Sequence, residues 1–177
     1  MASTMYRDGP TSTPTAPAAE LDLAAGVEFY RRLGWPSSLD ARRRRLVLHT
    51  GDALDALILP AHLASPVATE VSTSLMNGPV STDSDHRWWT FLTGPCQRAN
   101  LELPAELRTA KVRAVPRGGH VVVPHPADAE RWRQRPQQDR PLPPWNAVVA
   151  IARKVLQGAM LETCGSAGKG RTFPVIE

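Results

Sequence analysis

No stretch of this 177-residue sequence holds the roughly 18 consecutive apolar residues that a membrane-crossing helix needs. No membrane partner is therefore expected. Cysteine is scarce. Cys96 and Cys164 are the only two, and neither belongs to a Cys-x-x-Cys pair. That excludes a zinc finger and a disulfide-dense secreted scaffold. One disulfide between the two stays open beside the simpler reading of two free thiols in a reducing compartment. Residues 1–20, "MASTMYRDGPTSTPTAPAAE", lack the apolar centre of a secretory signal, and the expected location is the cytoplasm. Lysine is scarce as well. Of 21 basic residues only Lys111, Lys154 and Lys169 are lysine, which leaves 18 arginines.

Several catalytic signatures are missing. There is no G-x-S-x-G elbow and no G-x-G-x-x-G turn. The five histidines, at 49, 62, 86, 120 and 125, never stand four apart as on a zinc-binding helix. "GSAGKGRT" (165–172) looks like a phosphate loop, but Lys169 is followed by Gly170 and the first glycine of the pattern is absent. No enzyme class emerges from these patterns, and no metal site is expected.

What the sequence has is arginine, with a net charge of +4 and a pI near 9.6. Arginine suits bidentate contacts to phosphate and carboxylate. Alanine and proline are abundant too, so a GC-rich genome accounts for much of the bias, and the charge alone is a weak pointer to nucleic acid.

The hydrophobic pattern predicts one α+β domain over residues 20–162, a disordered Thr/Ser/Pro/Ala leader over 1–19 and a flexible tail over 163–177. Residues 19–35 read as an amphipathic helix with Leu23, Val27, Tyr30 and Leu33 inward, closed by Gly34. Strands are expected at 45–50, 55–60, 87–93 and 120–124. A weak helix is expected at 65–78, ending at Asn77-Gly78, and a short one at 104–111. The clearest helix is 143–160, led by Pro144 and carrying Val148, Ile151, Val155 and Leu156. The expected fold is a mixed or antiparallel sheet of four or more strands packed against helices.

Three groups of residues invite a chemical reading. Arg42, Arg43, Arg44 and Arg45 form the densest charge. They fit a grip on a nucleic-acid backbone, or equally a solvated loop in an arginine-rich protein. Asp83, Asp85 and His86 have the oxygen-rich character of a Mg²⁺ or Mn²⁺ site, or of an ordinary turn before a strand. Trp88 and Trp89 alternate on one strand, so one belongs in the core and the other is available for stacking on a base or a partner.

Three stretches, in order, resemble the N-terminal domain of bifunctional primase–polymerases of the archaeo-eukaryotic primase superfamily. "AAGVEFYRRLGWP" resembles its opening helix and Gly-Trp-Pro step. "LVLHTGDALDALILPAHL" is similar to its strand, Thr-Gly turn and second strand. "VRAVPRGGHVVVPHP" is similar to its late arginine, Gly-Gly turn and strand ending in proline. Together they spread over most of residues 24–136 and resemble short, standalone, actinobacterial-type degenerate relatives. The resemblance implies a primase–polymerase-like core. It also implies an Asp-x-Asp pair for catalytic metals, whose places fall near Pro60 and His62, and neither is acidic. Where the family carries Ser-Gly-Gly-x-His, this chain has "TDSDHRWWTF": Asp85 and His86 replace the glycines and Trp88 the histidine.

The expected function is thus a non-catalytic primase–polymerase-like module that binds DNA or RNA, or a protein partner. The contact residues would be Arg31, Arg32, Arg42, Arg43, Arg44, Arg45, Trp88, Arg113, Arg117 and His120, with no cofactor. One alternative is a metal-dependent nucleotidyl-transfer enzyme that uses Asp83, Asp85 and His86 with Mg²⁺ or Mn²⁺ as cofactor. The other is a regulatory protein-interaction module or homodimer, with the tails, the Trp pair and the Pro-rich "RPLPPW" as its surface. "RPLPPW" also reads as a linker into the last helix.

Overall fold

A computed structural model of the chain describes residues 16–97 and 102–166. The first helix, α1 (Ala16–Arg32), buries Val27 and Tyr30 and half-buries Leu23, as the spacing predicts. Its end is a Schellman cap. Gly34 sits at φ 76°, its N–H donates to the Arg31 carbonyl, and the Trp35 N–H reaches back to the Tyr30 carbonyl. The hydrophobic contact that accompanies such caps is Trp35 stacked on Tyr30, with ring centroids 6.1 Å apart. "YRRLGW" therefore encodes both the stop and the packing that fixes it.

After α1 come the hairpin β1 (Ser37–Asp40) and β2 (Arg45–His49), then β3 (Asp55–Pro60). The helix α2 (Ala61–Thr73) starts directly behind Pro60. This corrects the expected helix over 65–78. Pro66 lies inside α2, where it removes one backbone donor. The buried stripe Leu63, Ala64, Val67 and Val71 outweighs that loss. The helix also stops earlier than Asn77-Gly78. Leu75 takes the left-handed position, at φ 57°, and the Met76 N–H closes on the Val71 carbonyl.

The remaining elements are β4 (Val80–Thr82), β5 (Trp88–Thr93), α3 (Ala105–Thr109), β6 (Arg113–Ala114), β7 (His120–Val123), β8 (Trp132–Gln134) and α4 (Trp145–Ser166). "RPLPPW" leads into α4. Its Pro143 carbonyl accepts the Gly94 N–H, and Trp145 is buried. Positions 1–15 and 167–177, which hold most of the predicted leader, tail and loop-like "GSAGKGRT", lie outside the described residues. So does the side chain of Cys164, while Cys96 is buried. Among the described residues, no helix is long and apolar enough to cross a membrane.

The expected α+β fold is what forms, as two antiparallel sheets. One has the order β1-β2-β7 and the other β6-β3-β5-β4-β8. The alternation along β3 and β5 separates two cores. Leu57, Leu59 and Phe91 face α2 and α4, where Val67 and Val148 meet them. Ala56 and Leu92 face the other way, toward α1 and the smaller sheet, and pack with Tyr30, Leu48 and Val121. Asp55, at the start of β3, is fully buried. Its Oδ2 accepts the Cys96 N–H at 2.7 Å, so it anchors the loop after β5 and does not face a site.

Candidate functional site

A cleft of about 710 Å³ is lined by residues of both sheets. The smaller sheet contributes Arg45 and His120, with Arg44 from the β1–β2 turn. The larger sheet contributes its α1-facing side: Ile58 of β3, Ser81 of β4, Trp88 and Thr90 of β5, and Arg113 of β6. Arg131, just before β8, closes the wall. Four arginines from three separate segments, the β1–β2 hairpin, β6 and the approach to β8, thus converge, against two aspartates, Asp83 and Asp128.

Both aspartates are engaged in backbone contacts. Asp83 Oδ1 accepts the Trp88 N–H at 3.1 Å, and Asp128 Oδ1 accepts the Arg131 N–H at 3.2 Å. The guanidinium of Arg113 lies 5.3 Å from the centroid of the Trp88 ring, as a cation–π stack that projects into the cleft. Arg131 Nε donates to the Thr82 carbonyl at 3.2 Å, which fixes its side chain across the strand ends. At the back of the cleft Tyr30 donates to the Pro124 carbonyl at 2.5 Å. Burial, with the nearby negative charge of Asp128 adding to it, pushes the Tyr30 phenol well above its ordinary range.

The structure sorts the sequence-predicted residues into two groups. Arg44, Arg45, Trp88, Arg113 and His120 line the cleft. Arg31 and Arg32 sit exposed at the end of α1, where Arg32 pairs with Glu28 at 3.4 Å. Arg42 and Arg43 are at the hairpin turn, and Arg43 pairs with Asp40. Arg117 turns away from the cleft lining and donates to the Gly51 carbonyl at 3.3 Å. Arg131 and the hydroxyls of Ser81, Thr82 and Thr90 were not foreseen. The one available signal was the alternation Arg131-Trp132-Arg133, which is that of a short strand.

Asp83, Asp85 and His86 occupy the β4–β5 hairpin. His86 holds the turn at φ 55°, with its Nδ1 2.9 Å from Thr82 Oγ1, and Asp85 and His86 are exposed. No group of three or more His, Cys, Asp or Glu side chains among the described residues is placed to hold a metal ion. The places assigned to the family's metal pair also shift. His62 is in α2, one residue beyond the first of that helix, and β3 ends at Pro60. Two residues on one face of β3 are therefore Ile58 and Pro60, paired across to Thr90 and Trp88 of the cleft.

The Gly-Gly turn of "VRAVPRGGHVVVPHP" aims His120 at the cleft, and its two glycines serve different needs. Gly118 supplies a φ of 73°. A Cβ on Gly119 would stand 2.8 Å from the Pro116 carbonyl oxygen. That same oxygen accepts the Thr50 hydroxyl at 2.7 Å, and the turn is clasped to Thr50 by two further backbone hydrogen bonds. Gly118→Ala is expected to cost about 1–2 kcal/mol for the left-handed backbone, with ligand binding unchanged. Gly119→Ala must displace the clasp, so it should lower both the thermal midpoint and cleft binding. Melting curves and binding titrations of the two variants check this, and equal effects on binding would contradict it.

No protein-family model matches this chain, and no curated protein or solved structure matches it.

Proposed function

We propose that this chain is a non-catalytic, primase–polymerase-like module that binds single-stranded nucleic acid in the cleft between its two sheets. The observation that carries this reading is the convergence of Arg44, Arg45, Arg113 and Arg131 on one cleft around the Trp88–Arg113 stack. The arginines match a phosphate backbone. The exposed plane of the Arg113 guanidinium, backed by the indole, offers a surface on which a base can stack. Thr90, half-buried in the lining, adds a hydroxyl group that reads sugar or phosphate oxygens. β3 presents Ile58 and Pro60 where a metal-dependent transferase needs carboxylates. The alternative route through Asp83, Asp85 and His86 is weaker, because Asp83 Oδ1 is engaged by Trp88 and Asp85 stands in solvent.

Fluorescence anisotropy with a labelled oligothymidylate tests the reading. If four phosphates are contacted, log K falls with log salt at a slope of about −3. Affinity then drops about 50-fold between roughly 50 and 200 mM salt. Absence of binding at low salt, or binding without a slope, rules it out.

A further inference from the structure

Behind β5, on the face opposite the cleft, lies a second groove of about 670 Å³ between α2 and the β4–β8 pair. Trp89 forms its floor, Ser65 and Thr69 stand on the α2 wall, and Arg133 and Gln134 of β8 form the rim. A register shift in the β4–β8 pairing, between Val80 and Ser81, makes Arg133 an extra residue opposite β4. Such a bulge re-aims a side chain. Here it brings Arg133 to the same side as Gln134, with its guanidinium 5.2 Å from the centroid of the Trp89 ring.

Two groups in this groove lack a counterpart. Among the described residues the buried Trp89 Nε1–H has no hydrogen-bond partner, a costly state for a donor. Arg133 is exposed and forms no ion pair among the described residues. Gln134 also lines a separate small recess of about 10 Å³ with Arg135 and Arg140, and among the described residues no Asp or Glu lines either cavity. The α2 wall carries no competing charge. The hydroxyl of Thr69 donates back to the Ser65 carbonyl, and that of Thr73 to the Thr69 carbonyl, so this wall offers acceptor lone pairs and methyl groups. The rim strand β8 is the last strand of its sheet, and no described strand pairs with its outer edge.

We propose that this groove docks an extended acidic segment of a partner protein. The segment adds along the outer edge of β8, as strands add to open sheet edges. One of its carboxylates pairs with the Arg133 guanidinium at the rim. A peptide fits better than a second nucleic-acid strand because the β8 edge offers backbone donors and acceptors at ladder spacing, which a sugar–phosphate chain cannot satisfy.

The test uses the full chain and a fluorescein-labelled peptide of alternating glutamate and valine, with a glutamine–valine peptide as its uncharged counterpart. The acidic peptide should bind, and the glutamine version about 10-fold or more weaker. Arg133→Glu should weaken the acidic peptide by about 10-fold or more, while Arg113→Glu, in the cleft, leaves it unchanged. The proposal is overturned if the acidic peptide does not bind, if the glutamine peptide binds equally well, or if Arg113→Glu weakens binding and Arg133→Glu does not. Because the two sites lie on opposite faces of β5, failure of oligonucleotide binding in the cleft leaves this result readable.

Discussion

Reversing Arg113 to glutamate is expected to weaken binding of a single-stranded oligonucleotide by about 10- to 100-fold, the range for losing a hydrogen bond to a charged group. The salt slope should also become shallower by about 0.7, one phosphate's share for a single strand. The effect is large because Arg113 has two roles. It supplies charge from β6, and it lies on the Trp88 ring. Trp88→Ala separates them. That variant should lose about 5- to 100-fold in affinity through weakened stacking, with the slope kept. Arg31→Glu serves as the comparison. Arg31 is exposed and as basic as Arg113, but it lies outside the cleft, so its reversal should change affinity less than about threefold. Equal losses from Arg31→Glu and Arg113→Glu would mean that the chain binds by diffuse charge and that the cleft has no special part.

That contrast also marks how far the sequence could be read. Long periodic elements were legible. α1, the core of α4 and the strands β2, β3, β5 and β7 follow from apolar spacing, and so does the α+β class. The short strands β1, β4, β6 and β8 were not. "SSLD", "VST", "RA" and "WRQ" are too brief and too polar to show a period, and only pairing with longer neighbours makes them strands. The site depended on those short strands. Arg113 and Arg131 owe their positions to β6 and β8, and the four consecutive arginines at positions 42–45 divide between cleft and outer surface according to a hairpin that propensity does not reveal. The α2 boundary failed for a related reason. A proline that ends a strand and a proline inside a helix both look like breaks until the buried stripe Leu63, Val67 and Val71 is given something to pack against. The Gly-Gly turn was legible as a need for glycine, and only the structure separates a left-handed backbone at Gly118 from a close approach at Gly119.

The largest effect on stability is expected from Phe91→Ala. Phe91 is 1% exposed and sits in β5, which pairs with β3 on one side and β4 on the other. Its cross-strand neighbours are Leu57 and Val80, and it belongs to the cluster that holds α2 and α4 against the sheet. Cutting a buried Phe to Ala costs about 3–5 kcal/mol, transfer and cavity together. That is a large part of the roughly 5–15 kcal/mol that holds a domain folded, and the thermal midpoint should fall by about 10 °C or more. The cavity is under no obligation to stay local. β5 shows Phe91 and Trp89 to α2 and shows Trp88 and Thr90 to the cleft, so a strand that loses its keel on one face loosens the stacking residue on the other. Val122→Ala makes the comparison, since Val122 is 36% exposed in β7 and should cost under about 1 kcal/mol. Denaturant titration of both variants, followed by oligonucleotide titration of Phe91→Ala well below its midpoint, separates the two consequences. A Phe91→Ala loss no larger than that of Val122→Ala would show that β5 is not the element on which the helices and the cleft jointly rest.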